Sequence, residues 1–445
     1  MALLFDMVPG VRNKNIFSLT VGVLFLQFAL RETWIHSLVS SLLCYTCVLF
    51  LPPSVAPQLV FAISIFWVSL THFYRMYTLD WMADPFALPD PSGTQMVLTI
   101  KLTSFAFNIL DGHTYFVKGE GASFGVPQKV VDERRSRAIR DIPSLLQYLS
   151  YLFFFGGILT GPAFDFVEFS TSIDLSKYGP PVPGARRQIP SPYLPSLKRV
   201  LASLFFLWVY LGLSPFVAYA KLGDILLGLP FLERLVAISL ASFCERAKYY
   251  FVWLMAEGGC ILCALGYDGN DARKGTDHWG GMSNVSVLKL ELSQSIRDLS
   301  VYWNQNTALW LRRYVYERLP GPYANLAATY VVSATWHGFY PGYYIFFLSM
   351  GFAQDVSRRI RSRVRPHFLE EDGKTPRASK LVYDVCGGVL TSLFISYVII
   401  AFEILSVEKS MKLWGELYYF GHVLLVVALV GLQFVPKVKS KAKPE

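Results

Sequence analysis

Residues 200–220 read VLASLFFLWVYLGLSPFVAYA, without one charged side chain among them. A hydrocarbon layer about 30 Å thick is crossed by roughly 20 helical residues, so this stretch alone predicts a membrane span. It is not isolated. Working outward, comparable runs occupy 16–30, 34–51, 58–78, 95–110, 145–160, 224–243, 247–266, 323–350, 385–406 and 414–435, about eleven spans with the first. The 445 residues are 53% hydrophobic and only 16% charged, whereas soluble domains carry about a quarter charged residues. A soluble fold is excluded. No repeat with a period of roughly 20–50 residues and no low-complexity linker interrupts the pattern, so 1–445 reads as one all-α, polytopic membrane domain with a basic tail at 436–445.

Charge orients the spans. The 118–142 connection carries Lys118, Lys129, Arg134, Arg135, Arg137 and Arg140, and the 357–380 connection carries Arg358, Arg359, Arg361, Arg363 and Arg365. The tail adds Lys437, Lys439, Lys441 and Lys443. Basic loops stay on the cytosolic side, so all three are expected there, and two spans after residue 380 return the chain to the side it left. The net charge of +9 thus reads as topology and as attraction to anionic headgroups, with no motif that points to nucleic acid. About fifteen residues precede the first run and no small-residue cleavage site follows it, so that run is expected to be a retained helix.

Two stretches depart from long helices. Residues 161–199 contain Gly161-Pro162 and Gly179-Pro180-Pro181 beside Phe164, Phe166 and Phe169, which predicts an interfacial or re-entrant segment. Residues 286–319 mix Lys289, Glu291, Arg297, Asp298, Arg312, Arg313 and Arg318 with leucine, tryptophan and tyrosine, which predicts short amphipathic helices at the membrane face. The pairs Cys44/Cys47 and Cys260/Cys263 have a metal-like spacing, but no further Cys or His lies beside either pair in the sequence to complete a ligand set. They are read as small apolar packing residues, with no metal expected.

The chemistry is expected in 331–338, Val331-Val332-Ser333-Ala334-Thr335-Trp336-His337-Gly338, where the sequence places His337 well inside the 323–350 run. An ionisable side chain in an apolar span is costly, and an imidazole withdrawn from water stays neutral and can accept a proton. His72 and His422 are read as structural histidines that bond neighbouring helices. Ser333 lies one turn before His337, but without an acidic partner it reads as a packing residue. Upstream, Trp303-Asn304 precedes Trp310-Leu311-Arg312; an asparagine amide offers donors and an acceptor without charge, which suits either a polarised carbonyl or a helix cap.

Taken together, Trp303-Asn304, Trp310-Leu311-Arg312 and Trp336-His337-Gly338-Phe339-Tyr340-Pro341-Gly342-Tyr343 resemble the membrane-bound O-acyltransferase family, in its lysophospholipid branch. Arg246-Ala247-Lys248-Tyr249-Tyr250-Phe251-Val252-Trp253 resembles that branch's RxKYYxxW box. The resemblance implies His337 and Asn304 as the catalytic pair, in a helical bundle whose spans and short helices enclose a catalytic chamber. It also implies an acyl-CoA co-substrate, no cofactor, and a lysophospholipid acceptor acylated at its free hydroxyl, at sn-2. Arg246, Lys248, Tyr249, Tyr250, Trp253, Glu257, Trp303, Trp336 and Tyr343 are the expected substrate-binding residues. For Arg246, Lys248 and Glu257, ion pairing among themselves is the alternative. Where the branch has Trp-Asp, this chain has Trp279-Gly280, with Asp277 on the other side. In the sterol and diacylglycerol branches the asparagine sits in an FYxDWWN box, whereas 299–304 here read LSVYWN.

Two rival readings follow from the same residues. A transporter would use His337 and Glu257 in a proton path, and a different O-acyltransferase would act on a protein or another lipid. Lys441-Ala442-Lys443-Pro444-Glu445 resembles the dilysine retrieval signal KxKxx, which implies an endoplasmic reticulum membrane protein with a cytosolic C-terminus.

Overall fold

Helices make up nearly all of the regular structure in the computed structural model, which describes residues 1–78, 89–118, 125–178, 190–271, 276–319, 321–370 and 372–436. Among the described residues the exception to the all-α expectation is a short antiparallel hairpin, Gly269–Asp271 with Thr276–His278. The lysine tail and Gly179-Pro180-Pro181 lie outside the described residues. Two compact units are present. The first comprises Met1–Leu204, Phe251–Asn284 and Asn306–Phe339, and the second Phe205–Tyr250, Val285–Gln305 and Tyr340–Glu445.

Four helical stretches among the described residues are long and apolar enough to cross a membrane: Val11–Phe50, Ala56–Thr78, Tyr193–Val217 and Lys380–Ile404. Val407–Glu416 and Phe420–Gly431, bent by 74°, make a fifth if counted as one span. Tyr193–Val217 turns Leu197, Leu201, Leu204, Trp208 and Leu211 outward, as a lipid-facing helix must.

The expected count of eleven is not reached by length and apolarity: runs 16–30 and 34–51 fall in the single stretch Val11–Phe50, and four further local causes contribute. Runs 224–243 and 247–266 form one 32-residue helix, Phe231–Leu262, because nothing between them breaks helical geometry and Glu245, Arg246 and Lys248 are accommodated inside it. The 145–160 run is helical only over Leu145–Leu152. Its end is fixed by the fully buried Lys101, whose Nζ donates to the carbonyls of Tyr151 at 2.8 Å and Leu152 at 3.3 Å. Ser92–Gly112 is buried within the first unit along almost its whole length, so it bears Gln95, Lys101, Asn108 and Asp111 and falls short of an apolar span. Finally, 323–350 is broken into Pro322–His337 and Pro341–Arg363.

Of the two irregular stretches, the second has the short helices expected of it. Residues 286–319 form the short helices Val287–Glu291, Ile296–Tyr302 and Gln305–Tyr314. After Gly161-Pro162 the chain drives Phe164, Phe166 and Phe169 into the core of the first unit, where Phe166 stands edge-on to Tyr151 at 5.5 Å and Phe169 to Phe154 at 5.6 Å. All four paired cysteines are buried free thiols.

Close backbone approach is a specific demand at Gly22, where a Cβ would stand 1.6 Å from the carbonyl oxygen of Phe153. Gly22→Ala should therefore lower the unfolding temperature in detergent, since overpacking costs about 1–3 kcal/mol. Gly212→Ala, with open space around the new methyl, is the control that should melt like wild type.

Candidate active site

His337 is the last residue of Pro322–His337, not the middle of a continuous span. Gly338 ends the helix with φ +117°, a conformation that a side-chain-bearing residue rarely adopts, and this is what splits the 323–350 run. Trp336 is buried, and its indole N–H donates to the Met96 carbonyl at 2.9 Å. Its own carbonyl accepts from His72 Nε2, also at 2.9 Å. The His337 ring sits edge-on to Trp336 with centroids 4.8 Å apart, and the residue is partly accessible. Trp310, from the upstream box, lies 6.0 Å from Trp336 and donates its indole N–H to Thr103 Oγ1 at 2.9 Å. Two boxes separated in sequence thus meet in the first unit, around the helix end that presents the imidazole.

The second unit brings together the other two. Asn304 joins Ile296–Tyr302 to Gln305–Tyr314 with φ +44°, the left-handed region in which asparagine is tolerated best after glycine. Beside it Trp303 packs edge-on to Tyr249 at 5.5 Å and Tyr250 at 6.2 Å. Tyr250 donates its hydroxyl to Glu291 Oε1 at 2.5 Å. Arg246 forks onto the same carboxylate, Nε to Oε1 and Nη2 to Oε2, both at 2.8 Å, and gives Nη1 to Ser242. Its charge is therefore met by Glu291, a residue whose partner no local spacing could reveal. Lys248 pairs with Glu245 and remains 38% exposed. Tyr343 is buried against Phe402, 4.7 Å away.

Trp253 and Glu257 belong to the first unit, as do Trp336 and His337. Glu257, 1% exposed, is paired with Arg199 at 2.9 Å and accepts from Ser283 Oγ at 3.4 Å. Ion pairing thus accounts for Glu257 without a ligand. Trp279 is buried against Tyr267, 5.3 Å away, and Asp277 pairs with Asn270 in the hairpin backbone. The structural assignment of the other histidines holds: His72 bonds the Trp336 carbonyl, and His422 lies 3.0 Å from Ser349 Oγ and 2.6 Å from the Tyr397 hydroxyl. Sequence reading missed Glu291 as the Arg246 partner and His72 as the neighbour of His337. Their partners are 45 and 264 residues away.

Removing Glu291 leaves the buried Arg246 guanidinium without its carboxylate, which costs about 3–5 kcal/mol when a buried pair is broken. Glu291→Ala should accordingly melt well below wild type in detergent, and the double variant Arg246→Met/Glu291→Leu should regain most of that loss. Equal melting of the single and double variants would show that the pair carries no such energy.

The family model for membrane-bound O-acyltransferases matches residues 92–400. A Schizosaccharomyces pombe lysophospholipid acyltransferase is 34% identical over 426 residues, covering 94% of this chain and 80% of that protein. One from Saccharomyces cerevisiae is 32% identical over 437 residues, 94% of this chain and 68% of its own length. The human membrane-bound glycerophospholipid O-acyltransferase 2 is 28% identical over 428 residues, 94% and 78% of the two chains. Acyl transfer replaces the transporter reading, and on a match this broad the chain belongs to the membrane-bound O-acyltransferase family as a multi-pass membrane acyltransferase.

Proposed function

We propose that this acyltransferase moves a fatty acyl group from acyl-CoA to the free hydroxyl of a lysophospholipid, at sn-2, in phospholipid remodelling. The observation that carries the reading is the similarity, along nearly the whole chain, to two yeast proteins named lysophospholipid acyltransferases. The RxKYYxxW residues and the absence of an FYxDWWN box agree with it.

In the proposed reaction the acceptor hydroxyl attacks the thioester carbonyl while the His337 imidazole takes its proton. The C–S bond then breaks, an ester bond has formed, and the departing thiolate recovers the proton from His337 as free coenzyme A thiol. A thioester is already activated, so no covalent enzyme intermediate is required. A placed general base contributes about a hundred- to ten-thousandfold. Holding the two reactants in line supplies further acceleration, and excluding water suppresses hydrolysis. Of the two cations in the RxKYYxxW box, we assign Lys248 to the headgroup phosphate, because its side chain is 38% exposed and that of Arg246 only 10%. No cofactor or metal enters the scheme.

The test offers purified enzyme one acyl-CoA with lysophosphatidylcholine, lysophosphatidylethanolamine, diacylglycerol and cholesterol together, and follows thiol release and lipid products. Diacyl phospholipid should dominate; sterol ester or triacylglycerol as the main product would defeat the assignment. His337→Ala should abolish transfer with insertion intact, and Asn304→Ala should lose at least about tenfold. Near-normal turnover in His337→Ala would remove it as the base.

We place the enzyme in the endoplasmic reticulum with its tail in the cytosol, from the Lys441/Lys443 pattern and the basic loops. A C-terminal tag should be digested by protease added to sealed microsomes. Protection of the tag would reverse the topology.

A further inference from the structure

We infer that His72 is a positioning residue for acyl transfer: it fixes the helix end that presents His337. The inference rests on the reading of His337 as the base. His72 lies in Ala56–Thr78 and is 1% exposed. Its Nε2 is 2.9 Å from the Trp336 carbonyl oxygen. A carbonyl only accepts, so Nε2 carries a proton, and in a neutral imidazole that leaves Nδ1 without one.

The bonded carbonyl is one that needs a donor. A helix leaves its last four carbonyls without partners inside the helix. Here the Gly338 N–H serves the carbonyls of Ala334 and Thr335, both at 3.1 Å. The next carbonyl, that of Trp336, is the one His72 takes. The imidazole also fills the space beside Gly338, where a Cβ would stand 3.1 Å from both Cγ and Nδ1 of His72. His72 therefore touches the backbone on both sides of His337, bonding the peptide before it and packing on the residue after it. With the Trp336 indole held by Met96, the chain around His337 is restrained from two directions.

A base must be held near its productive geometry, and a misplacement of about 1 Å costs on the order of a hundredfold. His72→Leu keeps an apolar side chain in the space but has no donor. It should lower kcat by roughly ten- to a hundredfold, with KM for acyl-CoA and lysophosphatidylcholine within about twofold of wild type. His72→Gln restores an N–H donor and should recover most of kcat. Melting temperature and monodispersity in detergent, measured in parallel, separate positioning from folding. A normal kcat in His72→Leu beside a dead His337→Ala would overturn the inference and leave the base assignment standing. Failure of His72→Leu to fold, a rise in KM without a fall in kcat, or no recovery in His72→Gln would make His72 a structural prop and overturn it as well. Full activity in His337→Ala would instead remove the reading beneath it.

Discussion

A carbonyl that leaves a helix inside a lipid-facing protein has no water to bond, so each internal helix end requires a donor from elsewhere in the chain. That requirement is met by a side-chain donor at several helix ends. Lys101 closes the end at Leu152 and His72 serves Trp336. Arg234 Nη1 donates to the carbonyl of Glu416 and Arg363 Nη1 to that of Leu432, both at 2.5 Å. Tyr178 gives its hydroxyl to Ala264, just past the 32-residue helix, at 2.8 Å. These donors stabilise the helix ends they serve, and two of them, Lys101 and His72, are buried polar side chains that an apolar environment otherwise disfavours.

The same economy governs the ions. Arg318 forks onto Asp111 at 2.6 and 2.8 Å, Arg246 onto Glu291, and Arg199 meets Glu257. Each pairing satisfies a charge that would be expensive alone, and two of the three arginines present the parallel N–H pairs that suit a carboxylate. A cation near a membrane enzyme's signature box is therefore not a ligand group by default. Arg246 and Lys248 are two residues apart, yet one is committed to a carboxylate in a buried fork while the other keeps more than a third of its surface.

These pairings also explain what could be read from sequence. Membrane class followed from composition, and the boxes around Asn304 and His337 from local order, because both are properties of short stretches. The short helices of 286–319 were legible for the same reason, since amphipathic spacing is local. Span ends were not. That 145–160 stops at Leu152 depends on Lys101, some 50 residues away in sequence, and the fusion of 224–243 with 247–266 depends on a carboxylate that relieves Arg246 from another segment. Hydropathy reads the side chains in a window and is blind to partners outside it. The Gly338 break was closer to legible, for a glycine after a histidine and before Tyr340-Pro341 is a helix-ending pattern, but the surrounding apolar residues masked it.

Both candidate catalytic residues stand where regular geometry fails, each within its own unit. His337 occupies a helix terminus and Asn304 a left-handed joint between two helices. A left-handed residue costs roughly 1–2 kcal/mol for most side chains, and a terminus gives up intrahelical bonds, so neither is an arrangement that stability alone selects. Both are held by packing: Trp336 and Trp310 beside the histidine, Tyr249 and Tyr250 against the tryptophan next to the asparagine. A side chain in mid-helix is fixed by its rotamer and flanked by neighbours a turn away, which leaves little room for a reactant. At a helix end or joint the backbone turns aside, and the side chain can face open space while tryptophan and tyrosine hold its base. The tryptophans that accompany the histidine and the asparagine in the sequence thus pack the chain at both interruptions, where the candidate catalytic residues stand.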